Sequence, residues 1–66
     1  MDKTSYASSQ LQRIFDEERR KAAELRKGTI YIQDNDGNDI VPDLIAEFEQ
    51  NAKDAAERME ILQKVA

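Results

Sequence analysis

The spacing of apolar residues in the C-terminal part of the chain restricts its fold more than any other feature. From Ile45 onward the apolar positions recur in steps of three and four residues, an uninterrupted a/d heptad pattern. The pattern consists of Ile45, Phe48, Ala52, Ala55, Met59, Leu62 and Ala66. It predicts a helix over about 42–66 that packs lengthwise on another helix. Pro42 and Asp43 suit the first turn of that helix.

A second helix is predicted over about 5–27. Its apolar residues lie on one stripe, and charged residues fill the opposite face. The stripe consists of Leu11, Ile14, Phe15, Ala22 and Leu25. Lys27 and Gly28 supply a basic last turn followed by a residue that commonly ends helices.

Between the two helices the pattern predicts a β-hairpin over about 29–41. The segment 29–33 is β-branched and aromatic, and an Ile-Val pair returns after a cluster of turn residues. Asn35 and Asp36 suit a type I turn, and Gly37 suits the left-handed residue that closes a three-residue loop. The cross-strand pairs expected from this register are Ile32–Ile40 and Tyr31–Val41.

These elements predict a single α+β domain over 1–66, mostly helical, built as a helix–β-hairpin–helix protomer. A chain of 66 residues buries only roughly 60% of its unfolded surface, so a lone protomer is marginally stable. Pairing with a second copy would remedy this, which predicts a four-helix-bundle-like homodimer. The expected core and dimer-interface residues are Leu11, Ile14, Phe15, Leu25, Ile45, Phe48, Ala52, Ala55, Met59 and Leu62.

Glu18 interrupts the apolar stripe of the first helix, where leucine would suit a purely structural helix better. A carboxylate at that position needs a partner or water. Two interpretations are open. Either Glu18 lies at the edge of the stripe and reaches solvent, or it sets the helix register, with Arg58 across the seam as a candidate partner.

Charge is unevenly distributed along the chain, with a net charge of +2 over residues 1–28 and −6 over residues 29–66. The acidic half is expected to bind another protein, either directly or by imitating a phosphate rail in a basic groove. Its candidate contact residues are Tyr31, Val41, Glu47, Asp54, Glu57 and Ile61. The basic half is the alternative site, for nucleic acid. Its candidate contacts are Arg19, Arg20, Lys21, Arg26 and Lys27.

The amino-acid composition excludes most kinds of catalytic and metal-binding sites. There is no Cys and no His, so neither a zinc–thiolate site nor an imidazole base or ligand is available. The acidic segment 34–39 aligns poorly with a calcium-binding loop, because Ile32 would occupy the first ligand position. We therefore expect no enzyme activity, no metal site and no cofactor.

The sequence thus predicts a non-enzymatic, small, acidic, self-associating protein that binds another protein as an accessory regulator or inhibitor. No apolar run is long enough to span a bilayer, so we expect a cytoplasmic protein without a membrane partner. A nucleic-acid-binding dimer and a structural adaptor of a phage or virion are the alternatives. The element order, with Gly28 after the first helix and Gly37 in the turn, resembles the small phage head–tail joining proteins in layout.

Overall fold

The computed structural model is a helical hairpin, and it describes residues 3–65, with the side chains of residues 5–65. Helix α1 spans Lys3–Arg26 and helix α2 spans Val41–Val65. The helices run antiparallel and contact each other along their length, giving a rod of 48 × 17 × 16 Å. Ala66, the last member of the predicted heptad, lies outside the described residues. Neither helix is long and apolar enough to cross a membrane.

Local hydrogen bonds at the inner helix ends explain where α1 stops and α2 starts. The amides of Lys27 and Gly28 donate to the carbonyl oxygens of the preceding turn at 3.3 Å. Gly28 then turns the chain away with a φ of +76°, a conformation that favours glycine. At the start of α2, the Asp39 carboxylate accepts the amide of Val41 at 3.0 Å, and Ile40 accepts the first intrahelical bond, from Leu44.

The predicted β-hairpin over 29–41 is wrong, and with it the α+β fold class. Among the described residues the β pairing consists of one isolated antiparallel bridge, between Gln33 and Asp39. That bridge has the register assumed above, since the Ile40 amide donates to the Ile32 carbonyl at 3.1 Å. It does not extend into strands. The layout resemblance to phage head–tail joining proteins rested on that hairpin and loses its basis.

The second arm of the loop is too short to form a strand because α2 begins early. Val41, expected opposite Tyr31, is already helical and gives its amide to Asp39. Pro42 has no amide hydrogen to donate to a β ladder, and its fixed φ suits the first turn of a helix. Only Asp39 and Ile40 remain to face the first arm, so a ladder cannot propagate.

The turn at the tip of the loop is confirmed. The Gly37 amide donates to the Asp34 carbonyl at 3.1 Å, and Gly37 has a φ of +83°. The Asp34 carboxylate accepts the amides of Asn38 and Asp36, each at 2.9 Å. These bonds, that of the Asn38 amide above all, lower the pKa of Asp34 below its ordinary value. This contribution to loop order is therefore present near neutral pH and is lost as the pH falls through that lowered pKa.

The helices meet along two heptad stripes that face each other. The α1 stripe consists of Ser8, Leu11, Phe15, Glu18, Ala22 and Leu25, and the α2 stripe is the predicted heptad from Ile45 to Leu62. At the centre of this seam Ala22 and Ala52 are buried, together with Leu25 and Ala55. The remaining apolar members are half-buried. The heptad of α2 is therefore packed against α1 of the same chain.

Candidate interaction surfaces

Two open grooves lie between the helices, one on each side of the seam. The first, which we call the Ile14 groove, is lined by Leu11, Ile14, Glu18, Asn51, Asp54, Ala55 and Arg58. The second, which we call the Arg19 groove, is lined by Phe15, Arg19, Ala22, Ala23, Arg26, Glu49, Ala52 and Lys53. Their volumes are about 200 and 400 Å³ respectively.

The Ile14 groove is bordered by a continuous stripe of α2. This stripe consists of Glu47, Asn51, Asp54, Arg58, Ile61 and Val65, which recur in steps of three and four residues and therefore share one face. Its polar half lies towards the loop and its apolar half towards the open end of the hairpin. Ile61 and Val65 are 58% and 74% exposed, and Ile14 across the groove is 44% exposed. The open end of this face is thus an uncovered aliphatic surface.

Glu18 lies inside the Ile14 groove, with its side chain only 14% exposed. One carboxylate oxygen accepts from Lys21 Nζ at 3.2 Å, and the other accepts from Asn51 Nδ2 at 3.4 Å. The contact with Asn51 links α1 to α2. The side chain of Glu18 is therefore held by Lys21 and Asn51, and its contact across the seam is with Asn51 and not with Arg58.

Replacing Glu18 with leucine is expected to stabilise the hairpin by about 1 kcal/mol, because an apolar side chain avoids desolvating a carboxylate. Lys21 and Asn51 are exposed, so water replaces the lost partner. Urea unfolding followed by circular dichroism, at one fixed protein concentration, measures the change. Glu24→Leu is the matched control, since Glu24 also accepts from a lysine three residues later but is 52% exposed. A variant that loses stability at position 18 would contradict this account.

The Arg19 groove combines a floor of small residues with a cationic rim. Ala22 and Ala52 are buried at its base, and the Arg19 guanidinium lies 5.4 Å from the centroid of the Phe15 ring. An ion pair of 2.7 Å joins Arg26 to Glu49 of α2. Lys53 makes no ion pair with any residue described by the structure. Three cations against one carboxylate give this groove a net charge of +2 in a chain whose net charge is −4.

The five candidate nucleic-acid contacts are not brought to one surface. Arg19 and Arg26 line the Arg19 groove, whereas Lys21 lies on the other side of α1, next to Glu18 and 5.4 Å from the centroid of the Phe48 ring. Lys27 pairs with a carboxylate of its own helix, and Arg20 points away from both grooves. A continuous phosphate-binding stripe is therefore absent from this segment.

The candidate protein-binding residues are only partly brought together. Glu47, Asp54 and Ile61 share the stripe that borders the Ile14 groove, and Glu57 lies on the outer face of α2. Tyr31 is 76% exposed in the loop, and Val41 is half-buried at the start of α2. Lys53 and Glu49 of α2 join the basic segment of α1 in the Arg19 groove and were not predicted from the sequence. No local signal could identify them, because they lie on the other helix.

The acidic side chains do not assemble a metal site in the part of the chain that the structure describes. Within residues 3–65 no three of them converge in a way that could hold an ion. In the loop, one Asp34 oxygen accepts two backbone amides, and the other accepts the Asn38 side chain at 3.3 Å. The acidic residues of this loop therefore have a structural explanation in the turn itself.

Comparisons with known proteins assign no role to either groove. Models of protein families, curated proteins and solved structures were all compared with the chain, and none of them matches it. The two grooves and the small buried core are therefore the features from which a function can be inferred.

Proposed function

We propose that this protein is a non-enzymatic, self-associating interaction protein that binds another protein through the Arg19 groove, as an accessory regulator or inhibitor. The observation that carries the proposal is the size of the core. Among the described residues only Ala22, Leu25, Ala52 and Ala55 are buried, and three of these four are alanine. A hairpin with so little buried apolar surface gains much of its stability from whatever covers its faces.

The exposed area supports self-association. The surface of the chain is 5210 Å², whereas a compact monomer of this size exposes about 4,300 Å². The excess of roughly 900 Å² is close to the area, about 800 Å², that each partner buries in a stable protein interface. Covering one face with a second copy would bring the protein to the burial that is normal for its size.

The Arg19 groove supports a second, different partner. Its rim is cationic while the rest of the surface is predominantly acidic, so two copies would repel each other there. An acidic helical segment with a medium-sized apolar residue fits both the charge and the small floor between Ala22 and Ala52. The proposed partner is therefore an acidic protein. We propose the cytoplasm as the compartment in which the two proteins bind.

Sedimentation equilibrium across micromolar concentrations tests self-association. We expect a dimer that dissociates on dilution and loses helicity as it does so, because the isolated hairpin is marginal. A stable, fully helical monomer throughout this range would end the proposal of self-association. A ring or larger symmetric oligomer would instead favour the structural adaptor.

Affinity capture with the charge-reversal pair Arg19→Glu and Lys53→Glu tests the partner site. We expect the wild type to retain an acidic protein that this variant does not retain. The same acidic protein, once purified, should bind the purified wild type directly. Arg20→Glu with Lys64→Glu makes the same change in net charge outside the groove and serves as the control. Equal capture by both variants would refute the Arg19 groove, and nuclease-sensitive capture would favour nucleic acid.

A further inference from the structure

We infer that the Ile14 groove is the surface through which a second copy of this chain binds, with Ile14 packed on Ile61 of the partner subunit. This inference rests on the self-association proposed above and deepens it by naming the face and the pairing. The arrangement is isologous: α1 of each protomer lies on α2 of the other, and the same residues appear twice in the interface.

Exposed aliphatic side chains mark this face. Ile14, Ile61 and Val65 account for half of the large hydrophobic residues that the described structure leaves exposed, the others being Tyr6, Ile30 and Tyr31. Ile61 and Val65 lie one and two turns beyond Arg58 on α2, and Ile14 faces Arg58 across the groove. The three exposed aliphatic residues therefore lie on the same side of the hairpin, and exposed aliphatic residues grouped on one side of a small protein mark an interaction site.

Charge complementarity selects a second copy as the occupant. The Ile14 face carries both signs, with Lys21 and Arg58 set among the carboxylates of Glu18, Glu47 and Asp54. Arg58 has no ion-pair partner among the described residues. A face of mixed sign can pair with its own copy, whereas the Arg19 groove, with a net charge of +2, repels a second Arg19 groove.

The distribution of apolar and polar residues also selects the orientation. Ile61 and Val65 lie towards the open end of the hairpin and Ile14 lies at the middle of α1, whereas Lys21, Glu47 and Asp54 lie towards the loop. A two-fold axis parallel to the helices brings the aliphatic residues of the two protomers together and places Lys21 beside the Glu47–Asp54 segment of the partner subunit. A two-fold axis perpendicular to the helices would instead place Ile61 and Val65 on the charged half of the same face of the partner subunit. The parallel axis also keeps neighbouring helices antiparallel, as they are within the protomer.

Two complementary variants test the pairing. Ile14→Lys and Ile61→Glu are each expected to raise the dimer dissociation constant by about tenfold or more, because each buries an unpaired charge against an isoleucine. Mixing the two variants should restore dimerisation as a one-to-one heterodimer, since lysine then meets glutamate at one contact and isoleucine meets isoleucine at the other. Native mass spectrometry and sedimentation equilibrium measure both results. Ala46→Lys and Ala46→Glu, on the outer face of α2, should leave the constant unchanged.

A cysteine cross-link gives a second measurement that does not require a charged variant to fold. The chain has no Cys, so Ile14→Cys and Ile61→Cys each introduce the only thiol. Under mild oxidation a mixture of the two should form a disulfide-linked dimer faster than either variant alone or either mixed with Ala46→Cys. If the wild type dimerises, the charged variants at positions 14 and 61 dimerise equally well and the cysteine variants show no preferred cross-link, this inference is overturned and self-association remains. A wild type that stays monomeric would overturn both.

Discussion

Replacing Leu25 with alanine is expected to remove most of the folded population of this protein. Leu25 is the only buried residue larger than alanine in the described structure, with 6% of its surface exposed. Truncating a buried leucine costs about 2–5 kcal/mol through lost burial and the cavity left behind. At about 0.05–0.15 kcal/mol per residue, a chain of 66 residues has a total stability of the same order.

Thermal and urea unfolding followed by circular dichroism measure this loss, at one protein concentration because association adds to the apparent stability. Ile30→Ala is the control, since it truncates an aliphatic side chain that is 42% exposed in the loop. We expect that variant to change the free energy of unfolding by about 0.5 kcal/mol or less. If Leu25→Ala and Ile30→Ala lowered the free energy of unfolding by similar amounts, packing in the seam would not be the main source of the hairpin's stability.

Enlarging Ala52 to leucine is expected to destabilise the hairpin by about 1–3 kcal/mol, although leucine is more apolar. Ala52 is 2% exposed, and Ala22 of α1 is 3% exposed on the other side of the seam. A longer side chain directed into the seam has no space unless the helices separate, and one turned sideways enters the Arg19 groove, whose base Ala52 forms. Separation would in turn loosen the packing of Leu25 and widen the floor of the Arg19 groove.

Ala46→Leu is the matched control, because it makes the same change in the same helix at an exposed position. Helix propensities of alanine and leucine are similar, so this variant should stay within about 0.5 kcal/mol of the wild type. Urea unfolding of the two variants side by side gives the comparison. If Ala52→Leu were as stable as Ala46→Leu, the expected overpacking of the seam at Ala52 would be refuted.

Both helices were predictable from local features of the chain. The boundaries observed, Lys3–Arg26 and Val41–Val65, lie within two residues of those expected. Gly28 ends α1 in a left-handed conformation, as its position after a basic last turn indicated. The steps of three and four from Ile45 to Leu62 identified the face of α2 that α1 covers. Such features are local, because helix periodicity and capping involve residues at most a few positions apart.

The β-hairpin was not predictable in the same way, because strand pairing depends on two segments having enough free length. The turn residues and the register were read correctly from Asp34, Gly37 and their neighbours. However, Asp39 caps the amide of Val41, and α2 therefore begins before a second strand can form. Pro42 indicates a helix start, and an early helix start leaves too few residues before it for a second strand.

The grooves lay further beyond the reach of sequence reasoning, since each is built from residues far apart in the chain. Glu18 was recognised as anomalous, yet Asn51, its partner on α2, depends on how the two helices are aligned. The same alignment joins Arg26 to Glu49 and places Lys53 in the same groove as Arg19. A basic segment that reads as continuous in sequence is divided between two faces once it is wound into a helix.

The sequence by itself determined that two long helices form, where the inner ends lie and which stripe of α2 must be covered. These properties follow from hydrogen bonds and side-chain periodicity within single segments. Only the tertiary structure decided that α1 of the same chain covers that stripe. It also left the loop without a sheet and made the two sides of the seam different, one aliphatic with mixed charge and one cationic. These outcomes depend on the relative alignment of two helices, which is set by packing at Ala22, Leu25, Ala52 and Ala55.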